Sequence, residues 1–281
     1  MTLRELTPSV GVEVSGLDLS SALTTDEIAL LARAWDAGGV LVFRGQSLTL
    51  NAQSAFACNF GPLLRTRAGS RAGSEFIYVG NVTVDGIAGE FPAGEMLFHH
   101  DGCYAPDPAR ASFLYAIEVP SKGGNTKFCS TTRAYRALPE ALQREILSYD
   151  LLFTHQYGAV ERASGHAEGP RYVHPLVIAH PRTGAPLLIC NRLMADSIVG
   201  LPAGQSRVLI ADLLHEMERP EHVYEHVWQP GDLVAWDNLA VQHARTDFDP
   251  GERRVLRRQQ LAGTTLVAYR DVARHTQSDS T

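Results

Sequence analysis

Hydrophobic and polar positions follow two rhythms along this chain. Val10-Gly11-Val12-Glu13-Val14 alternates with the period of two that a half-buried strand requires, and Gly16 breaks it. Thr25-Asp26-Glu27 carries the short polar and acidic residues of a helix start, and Ile28, Leu30, Leu31 and Ala34 then recur at helical spacing. Val40-Leu41-Val42-Phe43 is an unbroken apolar run between Gly38-Gly39 and Gly45, which predicts a buried strand. A second helix is predicted after Thr49, ending near Asn59-Phe60-Gly61-Pro62.

From Phe76 onward short strands dominate, separated by turn residues: Phe76–Val79, Phe113–Ile117, Leu187–Ile189 and Leu233–Trp236. Helices are predicted at Thr131–Ala137, Pro139–Leu147 and Pro202–Glu218. Ser70–Gly94 mixes Gly, Asp and Pro with weak strand signals. It is expected to be a mobile segment leading into the motif described below, and whether Phe76–Gly94 closes as a lid is left open by the sequence. The polar tail after Arg274 is expected to fray. No repeat or long linker divides the chain, so residues 1–281 are read as one domain, mainly β with flanking helices.

Composition narrows the function classes. A hydrophobic content of 44% supports a sizeable core. A net charge of −6 offers no nucleic-acid footprint, although Arg65/Arg67/Arg71 and Arg253/Arg254/Arg257/Arg258 suit small anions. The N-terminus has no apolar leader and no run reaches membrane-spanning length. Cys58, Cys103, Cys129 and Cys190 show no CxxC spacing and read as free thiols of a reducing cytoplasm. Cys103 lies near the motif described next, and is read as packing.

That motif is Phe98-His99-His100-Asp101. His99 and Asp101 are two apart, so an extended backbone turns both to one face. His243 follows a strand-and-turn pattern, Gly231–Asn238, that returns a second strand beside the first. Two imidazoles and one carboxylate occupy one face of an octahedral metal and leave positions open, as in non-haem Fe(II) oxygenases. Arg254 and Arg258 follow, four apart and therefore on one face of a strand. An arginine there can hold the far carboxylate of a 2-oxo acid.

Taken with Gly123-Gly124-Asn125-Thr126, Trp236-Asp237-Asn238, Gln242-His243 and the opening Gly11–Leu19, these motifs resemble the taurine dioxygenase and dichlorophenoxyacetate dioxygenase family over nearly the whole chain. The resemblance implies a double-stranded β-helix (jelly-roll, cupin-like) enzyme using Fe(II), 2-oxoglutarate and O2. It makes His99, Asp101 and His243 the catalytic metal ligands, Thr126 and Arg254 the 2-oxoglutarate contacts, and Arg258 a contact for an anionic substrate head. The substrate is expected to be small, bearing a carboxylate, sulfonate, sulfate or phosphonate. The expected outcome is C–H hydroxylation, with C–S, C–O or C–P cleavage where the oxidised carbon bears a heteroatom; desaturation stays open. Related halogenases lack the carboxylate that Asp101 supplies. Relatives form oligomers, so a homo-oligomer is expected.

Three positions depart from the family pattern. Phe98 stands where tryptophan is frequent, His100 where a small or hydroxylated residue is common, and Glu95 where relatives carry asparagine. Glu95, Arg65 and His100 are accordingly candidate substrate contacts, Arg65 and Arg67 because they follow the pocket-bordering Phe60-Gly61-Pro62. Alternation along a strand would turn His100 away from the metal. Two other readings use the same residues: a cupin-like zinc hydrolase, and a non-catalytic small-molecule binding protein.

Overall fold

The apolar run Val40–Phe43 forms β3, buried at all four positions, and the chain is built outward from it. The computed structural model describes residues 1–66, 73–92, 94–155 and 169–278. β1 (Thr2–Glu5) and β2 (Val12–Ser15) pair antiparallel, and β2 runs parallel to β3. Thr24, one residue before the predicted start, caps α1 (Thr25–Gly38). Its side chain accepts from the Glu27 amide while Glu27 accepts from the Thr24 amide, an arrangement that stabilises the helix by about 1 kcal/mol. Thr49 caps α2 (Leu50–Cys58) through the Ala52 amide.

Two sheets follow. The larger has the order β1-β2-β3-β16-β8-β18-β4, using β16 (Leu233–Asp237), β8 (Ala111–Glu118), β18 (Val255–Leu261) and β4 (Ile77–Gly80). The smaller is β15-β9-β17-β7, from β15 (Val223–His226), β9 (Thr126–Ser130), β17 (Val241–Arg245) and β7 (Met96–His99). Val42, Leu114, Val234 and Trp236 of the first meet Phe128 and Val241 of the second in one apolar layer. This facing pair of sheets is the jelly-roll core. Alternate residues of the larger sheet, among them Phe43, Phe113 and Leu233, point the other way and bury Leu31, Trp35 and Phe56 of α1 and α2.

A third apolar cluster covers the far side of the small sheet. It joins α3 (Thr131–Ala137), α4 (Glu140–Ile146) and α5 (Ala203–Met217) to β10 (Asp150–Thr154), β11 (Arg171–Pro175) and β14 (Ala195–Ile198), and to the hairpin β12 (Val177–Ala179)–β13 (Pro186–Leu188). All three predicted helices in this region are present within a residue or so.

The weak strand signals of Ser70–Gly94 are realised in part: β4 joins the larger sheet and β5 (Thr83–Val84) pairs with β6 (Ile87–Ala88). Residues 70–72 and 93 of that segment lie outside the described residues. The tail continues past Arg274 as α6 (Tyr269–Ser278), with 279–281 outside the description. Among the described residues no helix is long and apolar enough to cross a membrane.

Candidate active site

β7 and β17 are neighbours, and their register pairs His99 directly with His243. The two rings lie 4.1 Å apart between centroids. Asp101 follows where the chain leaves β7 and turns. That turn is held by Asn238, whose Oδ1 accepts from the Asp101 amide at 2.8 Å while its Nδ2 donates to the Asp101 carbonyl at 3.0 Å. The motif expected to place His243 therefore also places Asp101.

One ligand atom from each of His99, Asp101 and His243 lies within 4.8 Å of the others. His99 Nε2 is 3.8 Å from Asp101 Oδ1, and His243 Nε2 is 3.9 Å from Oδ2. The Leu97 carbonyl lies 2.8 Å from His99 Nδ1 and takes its proton, which leaves Nε2 with a free lone pair facing the cluster. Burial lowers the pKa of both imidazoles, His243 well below the ordinary value, so both are neutral ligand forms. Burial opposes ionisation of Asp101, but the Arg258 charge, helped by the Ser112 hydrogen bond, outweighs it and holds the carboxyl well below the usual range. Two neutral imidazoles and a carboxylate at this spacing fit a divalent metal of the non-haem iron type.

Asp101 has three further neighbours. Gln260 Nε2 donates to Oδ2 at 2.8 Å and Ser112 Oγ donates to the same atom at 3.0 Å. Arg258 Nη1 approaches Oδ1 at 3.4 Å. Arg258 and Gln260 are alternate residues of β18 and share its inner face; Arg257 and Gln259 face α2 through Gln53 and Ser54.

Thr126 and Arg254 lie beside a second feature of the interior. Arg254 is 1% exposed and donates from Nε and Nη2 to the Gly124 carbonyl at 3.3 and 3.1 Å. Among the described residues its Nη1 has no hydrogen-bond partner. Burial, reinforced by the Arg245 charge, lowers its pKa to about 9, the mark of a cation without a counterion. Gly124 has φ 64°, and a Cβ there would come within 3.0 Å of Arg254 Nε. Two residues on, Thr126 is 3% exposed and its Oγ1 accepts from Trp228 Nε1 at 3.0 Å.

The remaining candidates are placed elsewhere. Glu95 is exposed and borders a depression of about 140 Å³ with Lys127, Arg192 and Glu218. Arg65 pairs with Glu75 at 3.7 Å and lines a cavity beside α2 with Ser54 and Gln259, on the outer side of β18. Arg67 lies outside the described residues. His100 is fully buried with Nδ1 facing Asn191 Nδ2 at 3.5 Å, and burial lowers its pKa to about 3. Cys103 belongs to the third apolar cluster, and burial pushes its thiol far up.

Other residues enter the site unannounced. Gln260 was within reach of the two-residue rhythm that pointed to Arg258. Ser112, Phe91 and Arg245 carried no local signal. The Arg258 guanidinium lies 5.7 Å from the Phe91 ring centroid. Phe91 has φ 58°, a left-handed backbone uncommon outside glycine. Arg245 holds it there by donating to the Phe91 carbonyl at 2.6 Å and to the Gly94 carbonyl at 2.7 Å.

The chain as a whole is similar to known proteins. A family model described as taurine catabolism dioxygenase TauD, TfdA family matches residues 2–260. The chain is 36% identical to alpha-ketoglutarate-dependent 2,4-dichlorophenoxyacetate dioxygenase of Cupriavidus pinatubonensis, across 93% of this chain and 98% of that protein. It is 32% identical to pentalenolactone F synthase of Streptomyces arenae, across 90% and 93%. The crystal structure of AAD-2 in complex with Mn(II) and N-oxalylglycine superposes with a TM-score of 0.82 at 30% identity, covering 95% of this chain and 99% of the other.

Proposed function

The chain belongs to the TauD, TfdA dioxygenase family, and from that premise we propose how its own residues carry out the reaction. It is a 2-oxoglutarate-dependent dioxygenase acting on a small substrate. In our reading residues 1–281 form one catalytic unit, and His99, Asp101 and His243 hold Fe(II). When bound, the metal with O2 and 2-oxoglutarate supplies the oxidising power that converts a substrate C–H to C–OH, releasing succinate and CO2.

The observation that carries this reading is a pair of buried donors without a full set of partners. Among the described residues Arg254 Nη1 is unpaired and the Thr126 hydroxyl proton has no acceptor. A carboxylate supplies two acceptor oxygens, and the distal carboxylate of 2-oxoglutarate suits them. An uncompensated buried guanidinium is costly, so the ligand removes a penalty the free protein carries. A zinc hydrolase would have no use for that cation.

Arg258 supports an anionic substrate. It faces the metal ligands from β18, and a relative acts on 2,4-dichlorophenoxyacetate, itself a carboxylate. We read the substrate as a small organic anion whose head meets Arg258, with hydroxylation as the outcome and bond cleavage where the oxidised carbon bears oxygen, sulfur or phosphorus. The test is succinate formation from 2-oxoglutarate over a panel of aryl and alkyl carboxylates, sulfonates and sulfates. For an active anion, Arg258→Gln should raise KM about 10- to 100-fold and leave KM for 2-oxoglutarate nearly unchanged, as loss of one charged hydrogen bond implies. Equal effects on both would remove Arg258 from the substrate site.

A further inference from the structure

We infer that Trp228 is a positioning residue for the cosubstrate: its indole N–H fixes the Thr126 hydroxyl so that the hydroxyl proton points at the 2-oxoglutarate carboxylate. The inference rests on the reading that Thr126 and Arg254 hold that carboxylate.

The argument starts from donor chemistry. An indole nitrogen only donates, so at 3.0 Å Thr126 Oγ1 must be the acceptor. A hydroxyl that accepts there keeps its own proton for a different direction. Without Trp228 that proton could rotate among staggered positions, and the Oγ1 lone pair would be buried unpaired. With it, the hydroxyl is set as a donor before the ligand arrives. A donor chain from indole to hydroxyl to carboxylate also polarises each link in turn.

Trp228 is itself held firmly. β15 pairs with β9 so that His226 lies opposite Thr126, and Trp228 follows two residues later with 6% exposure. The His226 ring meets the Trp228 ring edge-on, 4.5 Å between centroids. His226 is locked in turn: Asp232 Oδ2 can only accept, so it takes the Nε2 proton at 3.1 Å, and Nδ1 accepts from the Tyr224 hydroxyl at 3.0 Å. Arg44 closes the chain on Asp232 at 2.5 Å. The indole is thus packed against a ring that a polar network of Tyr224, Asp232 and Arg44 holds in place.

The test is a double-mutant cycle on the Zn(II)-loaded protein, reading the Kd of 2-oxoglutarate calorimetrically. Trp228→Phe keeps the ring and removes the donor; it should weaken binding about 3- to 10-fold, the net size of one neutral hydrogen bond. Thr126→Val should weaken it at least as much, and the double variant should match Thr126→Val alone. A loss from Trp228→Phe that persists undiminished in the Thr126→Val background would overturn the inference, because the indole would then act through packing. If Thr126→Val leaves Kd unchanged, the failure lies instead with the assignment of the carboxylate site. A second measurement needs no Trp228 variant. In uniformly 15N-labelled protein the Trp228 indole N–H resonance should move downfield on adding 2-oxoglutarate and stay in place in Thr126→Val. An unmoved wild-type resonance at saturation contradicts the proposal.

Discussion

The two oxygens of Asp101 do different work. Oδ2 accepts from both Gln260 and Ser112, whereas among the described residues the one hydrogen bond to Oδ1 is the long one from Arg258. Oδ1 is thereby left as the oxygen for a metal, and the other is tied down. Partners of this kind orient a ligand and commonly shift metal affinity about 10- to 100-fold. Gln260→Leu, which removes the shorter donor and keeps the bulk, should weaken metal binding within that range in a chelator competition. An unchanged affinity would mean Asp101 is oriented by Asn238 alone.

Titration enters at the same scale. Burial lowers His174 and His226 below the ordinary histidine value of 6.5, so the folded chain keeps both neutral. The unfolded chain takes up protons at those positions as pH falls past 6.5, and the fold does so only at lower pH. Their contribution to stability is therefore present above pH 6.5 and is lost as pH drops toward the lowered values. Urea unfolding at pH 7.5 and 5.0 should show the lower midpoint at about pH 5, and His226→Phe should reduce the difference.

At the scale of elements, period-two alternation explains both what was legible and what was not. It pointed to His99 with Asp101, which do converge, but β7 ends at His99 and the turn held by Asn238 is what places Asp101. Arg254 likewise stands one residue before β18, and only Arg258 and Gln260 lie within that strand. The same counting placed His100 on the opposite side. Counting fails outside strands: β7 begins at Met96, so Glu95 falls in the bend before it, and Arg65 is in a connection with no rhythm at all. Trp228 was illegible for another cause. Its partner Thr126 is 102 residues away, and only the pairing of β15 with β9 brings them together. The segment before β7 looked irregular because it is rich in glycine and turn residues, yet β4 is buried at all four positions.

The turn entering β9 carries a prediction of its own. Gly124 is left-handed at φ 64°, and a Cβ there would press on Arg254 Nε at 3.0 Å and Pro120 Cγ at 3.1 Å. Gly124→Ala should cost about 1–2 kcal/mol in backbone strain. By displacing the guanidinium it should also raise the Kd for 2-oxoglutarate about tenfold while metal affinity stays the same. Loss of metal binding to the same extent would show that the two subsites are not separate.

At the scale of the molecule, the two sheets bring together groups that are distant in sequence. The smaller sheet contributes His99, His243 and Thr126, and the larger contributes Ser112, Arg258 and Gln260 from its inner face. The apolar layer of Phe128, Trp236 and Val241 lies between them, with the Trp236 ring 4.7 Å from that of His243. The site is therefore a product of sheet packing. The most direct test is an anaerobic titration of 2-oxoglutarate into the Fe(II)-loaded protein, followed by visible absorption. The account predicts a chelate band that saturates at one equivalent, requires the metal, and is lost in Asp101→Ala. A folded, metal-bound protein that develops no band would contradict it, because iron and cosubstrate would then not meet at His99, Asp101 and His243.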